Sequence, residues 1–494
     1  MDLSLPLIIG LVLATAIWGL LLALRWPTLH TALTALVAVN CFGVTFAQWD
    51  LGPVTASLDR LSLAALVGLA GLKRLLLPQP RWRIDRSDVC LAGLLLVLFA
   101  SVCTHPTPPP IGLIPVVPSP SYLFATSFLV PAVVYWIVRH RRESSADVRR
   151  VLGFFVLFGI YLAVTAVCEM HVPALVFPRY ILAPRILYLG RAVGPCVSSP
   201  VLGTWITVAT VSAILLRNQL PVACRTLTLA LIPLFAYAQF LTKTRSAWIG
   251  FVVAVPLAVL FTAGRAQRRV LIVSMIVITL AAGLFLSGKF LSPDRVEGHA
   301  VVAQSTNQRL ALLQRAFALF VQRPIAGWGL GQFEHAARTQ GGGGSLALVS
   351  HEAAEGLTSH NLFLRLVAET GIIGAFLFIA VLWTWITRAR RSLRSPAAHS
   401  PERLAAVLFL TTLIAYCADA MFHDVIFMMQ ENLLVFFLAG CTSGFSLTHP
   451  PTVRLKPDVQ DSRAGAALEE NQPFTLIQHQ EAIGDRTDRL PPNA

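Results

Sequence analysis

Apolar residues in this chain come in continuous runs, not in alternating stripes. The runs centre on Leu5–Leu24, Leu29–Phe46, Leu58–Leu72, Val89–Val102, Ser121–Val138, Val151–Cys168, Pro200–Leu216, Thr226–Leu241, Ala247–Phe261, Val270–Leu286, Gly371–Ile386, Leu404–Met421 and Leu433–Phe445. A membrane-spanning helix needs about 20 apolar residues, and fewer where neighbouring helices cover its ends. Strands of a membrane barrel would alternate polar and apolar positions, which these runs do not. The pattern therefore predicts an all-α polytopic membrane protein with about 12–13 transmembrane helices. The first two runs are separated only by Arg25 to Thr28, so a single re-entrant hairpin is an alternative there.

One long polar stretch, Ser287 to Glu369, interrupts the series. It divides the chain into an N-terminal transmembrane bundle over 1–286, a large loop over 287–369, C-terminal transmembrane helices over 370–447 and a tail over 448–494. The tail is polar and Pro-containing, and is expected to be disordered. Within the loop, Gln308 to Val321 reads as a short amphipathic helix. Leu310, Leu313, Phe317 and Phe320 recur on one stripe at helical spacing. That stripe is expected to pack on the spans or to lie in the membrane interface. After it come the turn-rich run Arg323 to Gly331, the Gly341 to Gly344 tract and the triplet Ser359-His360-Asn361.

Composition agrees with the pattern. The chain is 55% hydrophobic and 13% charged, with a mean hydropathy of +0.67, where a soluble chain would be about a quarter charged. The net charge of +14 would suit nucleic acid, but Lys and Arg crowd short loops between spans and no aromatic residues interleave with them. Arg81, Arg83 and Arg86, then Arg139 to Arg150, the turn Gly264 to Arg269, and Arg388 to Arg403 fall on one side if the spans alternate. The positive-inside rule makes that side cytoplasmic and the large loop periplasmic. Met1 to Leu24 has no basic leading segment, so no cleavable signal is expected. The eight cysteines show no metal spacing; Cys168 and Cys196 flank one external loop and could pair.

Arginines on the outer side are informative because orientation disfavours them there. Arg179, Arg185 and Arg191 lie in one loop, Lys243 and Arg245 in a tight turn, and Arg309 and Arg315 on the amphipathic segment. A guanidinium fork suits phosphate oxygens, so several at a membrane edge would hold a diphosphate whose lipid tail stays in the bilayer. Alternatively each contacts lipid headgroups or snorkels. His360 is the candidate for proton transfer, since an imidazole of ordinary pKa can accept a hydroxyl proton near neutrality; capping the following helix is the other reading. Asp419, His423, Asp424 and Glu431 cluster near the last external turn and could order the site or bind an ion. His299, His335 and His351 lack a carboxylate at metal-ligand spacing, so no metal site is expected. The run Gly327-Trp328-Gly329-Leu330-Gly331 lacks a preceding strand and is no nucleotide fingerprint.

Three runs resemble the O-antigen ligase and polymerase family of bacterial inner-membrane proteins. Thr244-Arg245-Ser246-Ala247-Trp248-Ile249-Gly250 is similar to the family's Ser-Arg-Gly-Ala-Trp turn. Arg323-Pro324-Ile325-Ala326-Gly327-Trp328-Gly329-Leu330-Gly331 is similar to its Arg/Asn-Pro-x-x-Gly-x-Gly-x-Gly run. Ser359-His360-Asn361 with Gly371-Ile372-Ile373-Gly374 resembles its His-Asn followed by Gly-Ile-x-Gly. Gly190-Arg191 to Pro200 is similar to its Arg-containing motif, with serines where Asn usually stands. The resemblance implies a glycosyltransferase that moves a glycan from an undecaprenyl-diphosphate carrier, with no cofactor, nucleotide or obligatory metal. The acceptor would be a sugar hydroxyl of the lipid A core in a ligase, or another lipid-linked repeat of O-antigen or exopolysaccharide in a polymerase. Carried over by position, His360 would be the general base and Arg191, Arg245 and Arg309 would bind the diphosphate. Asn361, Lys243, Asp419 and His423 would support them. The reading from another class is a lipid-linked-glycan flippase or transporter. That would call for charges deep in several spans and paired broken helices, whereas the charges here sit at span ends.

Overall fold

The computed structural model describes residues 24–51, 54–78, 82–105, 118–141, 144–183, 190–217, 219–262, 264, 268–269, 299–340, 359–395 and 400–448. The expected spans over 5–24 and 270–286, the Gly341–Gly344 tract and the tail lie outside these residues, apart from Leu24 and Thr448 at their edges.

Thirteen α-helices are described. They are α1 (Thr28–Cys41), α2 (Leu58–Leu76), α3 (Arg86–Thr104), α4 (Pro120–Arg139), α5 (Ser145–His171), α6 (Ser199–Arg217), α7 (Val222–Leu241), α8 (Arg245–Thr262), α9 (His299–Gln322), α10 (Phe333–Thr339), α11 (Leu362–Ser392), α12 (Pro401–Ala420) and α13 (Met429–Thr448). Eight of them, α3 to α8 with α11 and α12, are long and apolar enough to cross a membrane. Helix α1 has 14 residues, about 21 Å at the helical rise and short of the roughly 30 Å hydrocarbon layer. The run expected to continue to Phe46 stops at Cys41. There the chain turns into an antiparallel hairpin, Gln48–Leu51 paired with Val54–Ser57.

Local chemistry sets the helix starts. Asp85 caps α3 by accepting from Ser87 N–H at 2.9 Å, while its own N–H donates to Asp88 Oδ2 at 2.9 Å. Asn361 caps α11 through Leu364 N–H at 3.0 Å. Within α4, residues Ala125–Leu129 form a π turn, and Ser127 there donates to the Ile426 carbonyl. Helix α6 is the central post, with nearly every side chain buried. Trp205 on it packs against Phe155 and Phe158 of α5.

One end of the bundle gathers the basic loops. The fully buried Arg139 guanidinium spans Asp88 and Asp85, the latter at 2.6 Å, and donates to Arg83 O at 3.1 Å. Arg388 of α11 also pairs with Asp85. Arg403 Nη2 donates to Phe261 O at 2.9 Å. At the opposite end lie the loop after α5, the α7–α8 turn, residues 323–340 and the α12–α13 turn. Cys168 and Cys196 are both free thiols; burial pushes the Cys196 thiol well above its ordinary value, and it donates to Asn40 Oδ1 at 3.2 Å.

Candidate active site

The site end is built around a break in α11. Gly371 adopts φ 61° and ψ −163° inside an otherwise continuous helix. It separates Leu362–Thr370 from the membrane-crossing part, at the position where the hydrophobic run predicts that span to begin. The Gly-rich run after α9 threads into this break. Trp328 N–H donates to Ala368 O at 3.0 Å and Gly329 N–H to Glu369 O at 2.8 Å, closing carbonyls at the end of the first segment. In return, Ile372 N–H donates to Pro324 O at 2.8 Å and Ile373 N–H to Ile325 O at 3.5 Å. The approach leaves no room for side chains. A Cβ on Gly327 would overlap the Glu369 carbonyl, and one on Gly371 the Ile325 carbonyl. Two of the runs singled out in the sequence are therefore the two halves of one clasp.

Beneath the clasp, Arg365 is fully buried. Its guanidinium grips Glu334 of α10 bidentately at 2.7 and 2.9 Å, reaches Glu369 at 3.0 Å and lies 3.7 Å from Asp424. Phe427 covers it, ring centroid at 4.6 Å. The Glu369 carboxylate also accepts from Phe333 N–H at 3.1 Å. One cation thus ties α10, the first segment of α11 and the α12–α13 turn together.

This cluster fixes His360. The His360 N–H donates to Asp424 Oδ2 at 2.8 Å, and Ser359 Oγ donates to Asp424 Oδ1. Asn361 Nδ2 donates to Met421 O at 3.0 Å in the same turn. His360 has φ 50° and is half-buried. Lys243 (φ 46°) and Val197 (φ 58°) are the other non-glycine residues with left-handed backbone among those described. That conformation costs roughly 1–2 kcal/mol for a side chain with a Cβ, and such strain collects at functional loops. Each of the three falls in a different loop: the one bearing Arg191, the one bearing Arg245 and the one bearing His360.

Hydrogen bonds join those loops. The Glu169 carboxylate at the end of α5 accepts Val193 N–H at 3.0 and 3.1 Å and Gly194 N–H at 2.9 Å. Ala192 N–H donates to Leu241 O at 3.0 Å, so the residue after Arg191 is clipped to the base of the turn that carries Lys243 and Arg245. Ser246 Oγ then donates to Asp419 Oδ1 at 2.7 Å, and His423 Nδ1 lies 2.9 Å from the same oxygen. Asp419 lies at the end of α12, and His423 in the following turn, which also supplies Asp424. Arg191 and Arg245 are half-buried and form no ion pair with a described residue, whereas Arg139 and Arg365 each pair with at least two carboxylates.

The structure thus links Arg191, Lys243, Arg245, His360, Asn361, Asp419 and His423 through one hydrogen-bonded framework. Arg309 stands on α9, nearly one turn before Leu312. Of the two expectations for the α9 stripe, packing on the protein interior does not hold for Leu313 and Phe317. The helix has 24 residues, and it packs through Leu312, Ala316 and Leu319 on Phe333, Ala336 and Ala368, leaving Leu313 and Phe317 exposed. Sequence reasoning assigned no role to Arg365, Glu334, Glu369, Glu169 or Ser246. The available signal was the i,i+4 pair Arg365 and Glu369 beside an apolar run.

The spans and the clasped loop define a multi-pass helical membrane protein with its polar machinery at one end. Residues 229–379, about a third of the chain, match the sequence family described as O-antigen ligase. No curated protein matches the chain. The matched stretch holds Arg245, His360 and both halves of the clasp; Arg191, Asp419, His423 and Asp424 lie outside it. This match and the eight helices fit a glycosyltransferase-like enzyme of polysaccharide biosynthesis in the bacterial inner membrane.

Proposed function

We propose that this protein transfers a glycan from undecaprenyl diphosphate to a sugar hydroxyl of the lipid A core at the periplasmic face. His360 takes the proton of the acceptor hydroxyl, whose oxygen attacks the anomeric carbon of the donor sugar. The bond from that carbon to the diphosphate oxygen breaks, and its electron pair leaves with the diphosphate. Arg191 and Arg245, with Lys243 beside them, meet the charge that develops on the leaving group. Donors held in place beforehand are worth most there, because nothing need reorganise during the reaction. Asp424, Asn361 and the Asp419–His423 pair hold these groups in position.

The observation that carries this reading is the Ala192 to Leu241 hydrogen bond at 3.0 Å. It sets side by side two loops whose Arg191 and Arg245 pair with no described carboxylate, from segments about 50 residues apart in sequence.

Lipopolysaccharide from a deletion strain is the test. Core lacking O-antigen, with lipid-linked polymer accumulating, supports a ligase; core bearing a single repeat overturns it for a polymerase of the same donor. Unchanged lipopolysaccharide with lost exopolysaccharide moves the acceptor elsewhere. His360→Ala and Arg245→Ala proteins, present in the membrane at normal levels, are expected to lose at least about 100-fold in transfer, the usual scale for a general base or a charge-stabilising donor. Full activity in both would remove the mechanism.

A further inference from the structure

Helix α9 has two apolar faces, and the protein interior uses only one. Leu312, Ala316 and Leu319 are buried. The adjoining face carries Leu313, Phe317 and Val321, which are 44%, 63% and 59% exposed, and Ile325 just past the helix end is 66% exposed. Steps of four residues keep the helical three on one side. Soluble surfaces rarely leave so continuous an apolar stripe in water.

The stripe does not end in isolation. The Ile372 to Pro324 and Ile373 to Ile325 hydrogen bonds, at 2.8 and 3.5 Å, press its far end against the start of the α11 span. There Ile372, Phe376, Ile379 and Trp383 are all exposed at steps of four, three and four, as the lipid-facing wall of a membrane helix is. The α9 stripe continues that wall. Between Gln308 and Ile325 the polar residues are Gln308, Arg309, Gln314, Arg315, Gln322 and Arg323, with no acidic residue. A bulky apolar face on a helix that carries basic and no acidic residues is the composition of helices that lie in the headgroup layer, where anionic lipids add attraction.

We propose that Leu313, Phe317, Val321 and Ile325 dock into the headgroup–acyl boundary of the leaflet on the loop's side, so that bulk phospholipid covers this face of α9. The helix is then an in-plane anchor that holds the clasp and the His360 loop at the bilayer surface. This rests on the membrane spans and not on glycosyl transfer, so it stands or falls apart from the proposed activity.

The test uses the full chain with exposed Cys103 and Cys224 changed to Ser. Phe317→Cys, Val321→Cys and, on the opposite side of α9, Gln322→Cys are labelled with an environment-sensitive fluorophore, and the signal of the parent is subtracted. Proteins are reconstituted into phosphatidylethanolamine–phosphatidylglycerol vesicles free of polyprenyl lipid, with iodide on both sides. Labels at 317 and 321 are expected to be quenched by doxyl phospholipid at least about twofold more than the label at 322, and shielded from iodide. Equal iodide quenching at all three positions, without doxyl quenching, overturns the proposal. So does a label at 317 that stays open to iodide until polyprenyl phosphate is added, which would make the face an isoprenoid groove.

Discussion

The Arg365 guanidinium carries one positive charge against three buried carboxylates, those of Glu334, Glu369 and Asp424. Removing the cation leaves buried carboxylates without their counter-charge, which costs about 3–5 kcal/mol for a buried pair. Arg365→Met is therefore expected to lower Tm by several degrees in detergent and to free His360, because Asp424 loses its anchor. An unchanged Tm would mean that Asp424 is held by other means. At this scale the sequence showed some parts and hid others. Arg245 and His360 were visible because their neighbours form recognisable runs. Glu334 was not, because its partner lies 31 residues away and only tertiary packing pairs them. Glu169 was hidden for the same reason: a single carboxylate at a helix end gives no hint that it will collect N–H groups from a loop 24 residues on.

Among the elements, the clasp depends on backbone meeting backbone. Gly327 has φ 72° and lies against the Glu369 carbonyl. Gly327→Ala combines a left-handed backbone with overlap, and is expected to cost at least about 1–2 kcal/mol; Tm and transfer activity should fall together. Gly264→Ala, where an added Cβ meets nothing within 4 Å, is the matched control and should change neither. A destabilisation of equal size in both would show that the close approach carries no weight. The start of the span at Gly371 was legible because hydrophobicity begins there. The buried stripe of α9 was not. Leu310, Leu312, Leu313, Phe317, Leu319 and Phe320 surround much of the helix, so periodicity alone does not select a face. Small Ala316 settles it, because it lets α9 approach Ala368 and Phe333 closely.

For the whole molecule, the all-α membrane class followed from composition, since continuous apolar runs admit only helices in lipid. The grouping of basic loops at one end was readable from their alternation. The short α1 and the hairpin after it were not, because an apolar run does not report where backbone pairing will interrupt it. Helix α11 also makes the molecule a gauge of its membrane. Charges pin it at both ends, through the Arg365 cluster near one and the Arg388–Asp85 pair at the other. The 17 residue steps from Gly371 to Arg388 span about 26 Å at the helical rise, close to the hydrocarbon thickness of ordinary bilayers. A helix pinned in this way cannot tilt freely to absorb mismatch, so lipid must adapt instead. Transfer activity in vesicles is accordingly expected to peak for acyl chains matching that thickness and to decline for shorter and longer ones. A flat response across chain lengths would show that the pinned helix yields to its bilayer.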